Sequence, residues 1–124
     1  MEKNSLICNT GYNKDVKITF YHYEDQDITI NTDAILEDGK LLLDGLDYGK
    51  RVEELRGLGD DYEYKLSLDK ENTAKFFESL GVADKDDEQK LATVKEKFGK
   101  DGRISEVEKY CDKHDIKTEF FCWP

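Results

Sequence analysis

Between Val16 and Tyr23 apolar and polar positions alternate. Val16, Ile18, Phe20 and His22 fall on one side, and Lys17, Thr19, Tyr21 and Tyr23 on the other. A period of two with β-branched and aromatic residues predicts a strand. Glu24-Asp25-Gln26-Asp27 reads as a polar turn, and Asp27 to Thr32 returns as a second strand through Ile28 and Ile30. Asp38-Gly39 is the pair favoured in tight hairpins, because glycine accepts positive φ, and it joins Ala34–Leu36 to Lys40–Leu43. An antiparallel meander is the expectation. Gly45 to Gly59 forms a glycine-punctuated connection with one helical turn at Arg51 to Arg56. Asp61 to Leu68 alternates again, placing Tyr62, Tyr64, Leu66 and Leu68 inward and Glu63, Lys65 and Ser67 outward.

The period then lengthens. Asp69 caps a helix to Leu80 whose stripe is Thr73, Phe76, Phe77 and Leu80, with Gly81 closing it. Asp84 to Phe98 follows, with Leu91, Val94 and Phe98 on one face, acids in the first turn where the helix dipole favours them, and Gly99 at the end. Ile104 to His114 is a third helix with Ile104, Val107 and Cys111 inward. Asp115 to Trp123 is a last strand through Ile116, Thr118, Phe120 and Cys122. The order predicts an α+β fold, an antiparallel sheet of about five strands with three helices packed on one face. Its 124 residues suit one domain, 1–124, strand-rich over 1–68, helical over 69–114, with a returning strand at 115–124.

Composition alone argues against that picture, since 39% of residues are charged and only 37% apolar, a balance typical of disorder. The regular spacing of six Phe, seven Tyr and one Trp restores it by supplying a packable interior. The formal charge of −10 is uneven. Residues 1–62 hold 7 Lys and Arg against 14 Asp and Glu, a net of −7, while residues 63–124 hold 12 against 15, a net of −3. Such a field repels nucleic acid and anionic membranes and favours a basic protein partner. Solubility alone is the competing explanation of the acidity.

Met1 to Gly11 has no long apolar run or small-residue cleavage site, and no segment approaches a membrane span, so a cytoplasmic protein is expected. Cys8, Cys111 and Cys122 are odd in number and lack CxxC spacing, as suits reduced thiols.

Motif chemistry is sparse. Lys97 to Glu108 matches an EF-hand loop at Asp101, Gly102, Ile104 and Glu108, but Lys97 and Gly99 occupy the first and third ligand positions. A lysine there repels a divalent cation, so a helix–turn–helix junction is the expectation. His22 and His114 show no paired-ligand spacing, and neither metal nor other cofactor is expected. Cys8 with His22 is the one Cys–His pair that could act as a nucleophile, without a supporting motif. The acidic clusters around Glu24, Asp60 and Asp84 fall in turns and at a helix start, where water solvates them. GxGxxG, GxxxxGK and GxSxG are all missing.

Three features suit recognition. Tyr21 and Tyr23 stand beside Glu24, Asp25 and Asp27, and aromatics among carboxylates resemble interface anchors. The connection Asp44 to Asp61 carries Asp47, Tyr48, Asp60 and Asp61. The third is Phe120-Phe121-Cys122-Trp123-Pro124. The competing expectation is that these aromatics cover a sheet face under the helices.

The succession Gly45-Leu46-Asp47-Tyr48-Gly49, Asp60-Asp61-Tyr62-Glu63-Tyr64, Lys97-Phe98-Gly99 and Ile116-Lys117-Thr118-Glu119-Phe120-Phe121 with Trp123 resembles a group of small uncharacterised bacterial α+β proteins. The likeness spans roughly residues 40–124, and none of its motifs is catalytic. It implies an immunity-type protein that neutralises a toxin, and it carries no functional residue over. The expected function is therefore a non-enzymatic acidic protein-binding domain, an immunity-type inhibitor of a basic toxin or nuclease. The expected contact residues are Tyr21, Tyr23, Glu24, Asp25, Asp27, Asp47, Tyr48, Asp60 and Asp61. The alternatives are a small hydrolase or transferase using a carboxylate or Cys8, and an acidic nucleic-acid mimic.

Overall fold

Each alternating segment becomes a strand. In a computed structural model of the chain, which describes residues 15–50, 61–100 and 102–123, β1 (Val16–Glu24), β2 (Thr29–Glu37), β3 (Lys40–Tyr48) and β4 (Asp61–Leu68) lie side by side in chain order. β5 (Glu119–Trp123) adds beside β4. All four pairings are antiparallel, and among the described residues β1 and β5 pair with no further strand, so the sheet is open with these two at its edges. Asp38 and Gly39, at φ 53° and 77°, form the two-residue turn that sets Glu37 opposite Lys40 and with it the whole β2–β3 register.

One sheet face meets α1 (Lys70–Ser79), α2 (Asp87–Phe98) and α3 (Ile104–Lys113). α1 lies against β3 and β4, and α2 against β1 and β2. Leu36, Leu41 and Leu68 form one cross-strand row of that face and Ala34, Leu43 and Leu66 the next. All six are buried with Phe76, Phe77, Leu91, Val94, Val107 and Cys111 from the helices. Phe76 ties the helices together, its ring centroid 6.1 Å from Phe98 of α2 and 5.7 Å from Tyr110 of α3. Offset and edge contacts of this kind add to what burial alone supplies.

The capping aspartate is where the sequence places it. The Asp69 side chain accepts the Asn72 amide at 2.8 Å, a bond that, with the Asn72 side chain behind it, holds the Asp69 carboxyl below its ordinary range. Buried Asn72 in turn accepts the Lys117 amide at 2.9 Å, which moors the segment leading into β5.

Four boundaries differ from expectation. In the meander, residues 27–32 and 34–36 are not separate strands but the continuous β2, because polar Asp33 faces away from the helices. In the same meander β3 runs on through Gly45 to Tyr48 where the pattern predicts a connection, since Tyr64 of β4 lies over that glycine and residues 45–48 keep their pairing with β4. α2 starts at Asp87 rather than Asp84, since Asp86 is the residue whose side chain caps it, at 2.8 Å from the Gln89 amide. β5 starts at Glu119 rather than Asp115. Ile116 is buried in the core instead, just after Asp115 turns the chain at φ 58°. The helical turn expected at 51–56 lies outside the described residues.

The fourth difference changes which residues face out. β1 carries a bulge: Thr19 pairs with Asp33 and Tyr21 with Thr32, leaving Phe20 as an extra residue. Phe20 is buried, and beyond it the alternation inverts. Tyr21 and Tyr23 join the helix-side face opposite Thr32 and Ile30, while His22 turns to the other face opposite Asn31. Tyr21 is not an outward residue; it packs against the core, with Gly102 set directly on its ring.

Candidate partner-binding face

Among the described residues no helix covers the second face of the sheet. Its rows follow from the register. Glu24, Thr29 and Tyr48 stand side by side at one end. Next come His22, Asn31, Leu46 and Glu63, then Thr19, Asp33, Asp44, Lys65 and Phe121, then Lys17, Ile35, Leu42, Ser67 and Glu119. Ile35, Leu42 and Leu46 are half-buried, Tyr48 is 44% exposed and Phe121 53% exposed. The face is mixed: Ile35, Leu42, Leu46, Tyr48 and Phe121 stand among carboxylates, lysines, an amide and hydroxyls.

At its centre Asp33 lies directly opposite Asp44. Like charges facing each other across two strands destabilise a sheet. Lys17 Nζ comes within 3.9 Å of the Asp33 carboxylate, and Lys65 is the cross-strand neighbour of Asp44. Both lysines therefore flank the acidic pair rather than separate it. Neither aspartate was among the expected contact residues. The Asp38-Gly39 turn already encodes their meeting, since counting back from Glu37 and forward from Lys40 places Asp33 opposite Asp44.

The expected contact residues gather at the end of the sheet where the β1–β2 turn and the end of β3 meet. Asp25 organises the turn: Oδ1 accepts the amides of Asp27 at 2.8 Å and Ile28 at 3.0 Å, and Oδ2 accepts the Tyr23 hydroxyl at 2.8 Å. Gly49, at φ 127°, brings the end of β3 against this turn; a Cβ there would lie 2.5 Å from the Asp27 carbonyl oxygen. Asp47 is equally engaged, accepting the Tyr64 hydroxyl at 2.7 Å, with Thr32 Oγ1 on the other side of that hydroxyl at 3.4 Å. Burial pushes the Tyr64 phenol well above the tyrosine range; the Asp47 carboxylate adds to this, while the Thr32 contact opposes it.

These residues divide between two faces. Tyr23, 41% exposed, and Asp47 belong to the helix-side row with Ile30 and Tyr62, whereas Glu24 and Tyr48 belong to the uncovered face, and Asp61 pairs with Tyr48 at the start of β4. Asp60 and Cys8 lie outside the described residues.

Elsewhere, residues 97–100 and 102–108 form the helix end, turn and helix start expected of a junction between α2 and α3. Cys111 is a core thiol whose pKa burial pushes up to about 12, and Cys122 is an exposed thiol on β5. Among the described residues two recesses stand out on the helical side. One, about 170 Å³, has a floor of Leu36 and Phe77 and a rim that includes Lys70, Asp87 and Lys90. The other, about 390 Å³, is lined by Glu108, Asp112, Asp115, Ile116, Lys117 and Thr118. Among the described residues no helix is long and apolar enough to cross a membrane. Compared with known proteins, the chain matches no family, no curated protein sequence and no solved structure.

Proposed function

We propose that the chain is a non-enzymatic, acidic protein-binding domain of the immunity type, which docks a basic partner, a toxin or nuclease, on the uncovered sheet face. The observation that carries this reading is the Asp33–Asp44 pair at the centre of the uncovered face, with Leu42 and Leu46 beside it. In the free chain the two carboxylates repel each other. A partner's Arg or Lys set between them replaces that repulsion with two charge-assisted hydrogen bonds. Leu46 and Tyr48 then supply the dry contact around the charge, and Glu24 and Glu63 a polar rim, the usual anatomy of an interface. The excess of acid over the whole chain draws a cationic partner in and mainly speeds its association.

The test is a double variant, Asp33→Asn with Asp44→Asn. The reading expects this variant to be at least as stable to urea as the parent and to lose salt-sensitive capture of a basic protein. Capture that survives both this variant and Tyr48→Ala would place the binding surface elsewhere and defeat the reading.

A further inference from the structure

The two edges of the sheet are treated unlike. β1 is blunted as an edge. It carries the Phe20 bulge and places Lys17, His22 and Glu24 along its length, and Gly99 at the end of α2 packs close to the Phe20 carbonyl. Bulges and edge charges are the ordinary means of preventing strand addition. β5 has none of these. Its register with β4 is unbroken from Glu119 to Trp123, it holds a single charge, and its outward backbone groups meet no further strand among the described residues. Phe120, 46% exposed on the helix-side face, and Phe121, 53% exposed on the other, flank the edge above and below. The strand is also held in place from behind, by buried Ile116 and by the Lys117–Asn72 bond.

We infer that β5 receives an extended, lysine- or arginine-bearing segment of the partner as a sixth strand. The inference rests on the basic-partner reading above and adds the element through which the partner attaches. Main-chain hydrogen bonds supply the affinity of such strand addition, and alternate side chains supply its specificity. Charge decides the occupant. The recess on the helical side, lined by Glu108, Asp112 and Asp115 against the one cation Lys117, opens beside residues 116–118, where the added strand passes the start of β5. Alternate cationic side chains of the incoming strand lie on the helix-side face toward this recess, while the apolar ones between them lie on the other face beside Phe121. A second copy of this chain brings its own excess of acid to the same edge and is disfavoured.

The probe is a short end-blocked peptide alternating valine and lysine, titrated into the whole chain and followed by backbone amide resonances. Saturable binding below about 1 mM is expected, with shifts and slowed exchange concentrated at 119–123. Replacing the peptide's lysines with glutamate, or Asp112 of the chain with lysine, should weaken it at least about tenfold. The Asp33→Asn, Asp44→Asn variant should bind the peptide unchanged while losing capture on the open face, so the two readings fail separately. Shifts centred on the open face or β1, equal binding of the glutamate peptide, no saturable binding, or β5 amides already protected in a concentration-dependent dimer would each overturn the inference.

Discussion

Gly45 sits directly opposite Tyr64 across β3 and β4, and the tyrosine ring lies over it in the space a side chain would occupy. The ring is thereby aimed along the strand row so that its hydroxyl reaches Asp47. A glycine inside a strand weakens it, and an aromatic ring laid across the gap repairs the loss. Gly45→Ala should push the ring off and break the Tyr64–Asp47 bond. A cost of about 1–3 kcal/mol is expected, since the added methyl has no free volume to enter. Urea unfolding followed by tyrosine fluorescence measures it.

The same phenol gives the fold an alkaline limit. An unfolded tyrosine releases its proton near pH 10, whereas folded Tyr64 keeps its proton to higher pH because it is buried against a carboxylate. Above about pH 10 the unfolded chain therefore binds fewer protons than the folded one, and stability falls as pH rises. Below that pH the contribution is complete. Tyr64→Phe should lose about 1 kcal/mol at neutral pH with the hydrogen bond, and then decline less steeply above about pH 10. Urea midpoints at a series of alkaline pH values distinguish the two slopes.

Thr73 joins α1 to two strands through one hydroxyl, which accepts the Leu41 amide at 3.0 Å and donates to the Leu68 carbonyl at 3.2 Å. The site is buried, so water cannot take over either bond. Thr73→Val keeps the shape and orphans both groups, for an expected loss of about 2 kcal/mol. Thr73→Ser keeps the hydroxyl and gives up one methyl, about 1 kcal/mol. The order of the two variants, with faster exchange of the Leu41 amide in the valine form, checks the assignment.

Gly99 has an ordinary helical φ of −82°, so its role is close packing rather than backbone freedom. A Cβ there would lie 2.6 Å from the Lys95 carbonyl oxygen and 2.7 Å from that of Phe20. Both are main-chain atoms and cannot swing aside. Gly99→Ala should therefore shift the end of α2 away from the β1 bulge, at about 1–3 kcal/mol. Faster amide exchange at Phe20 and Tyr21, with the α1–β3 contact unchanged, is the expected signature.

Most of the architecture is readable from residue order because local and tertiary signals agree. Tyr62, Tyr64, Leu66 and Leu68 alternate inward as the pattern predicts, Asp38-Gly39 turns where it should, and Asp69 caps α1. The β1 bulge is the instructive exception. Alternation is counted on the assumption of constant register, and one extra residue at Phe20 reverses every side chain after it. Tyrosine tolerates either face, so Tyr21 and Tyr23 give no warning. The site suffers more than the fold for the same reason. Carboxylates look alike in sequence, yet Asp25 and Asp47 are spent on hydrogen bonds that shape the strand end, while Asp33 and Asp44 acquire meaning only as a pair.

Because the first four strands neighbour one another in the order they are synthesised, each can zip onto its predecessor across a modest loop, as the low contact order of a meander favours. The β4–β5 pairing is different: it closes a loop that contains all three helices. Its entropic penalty is compensated only once those helices have settled. Strand 119–123 is therefore expected to be the last piece of the sheet to lock during refolding, so that the mature edge forms only once the interior is complete.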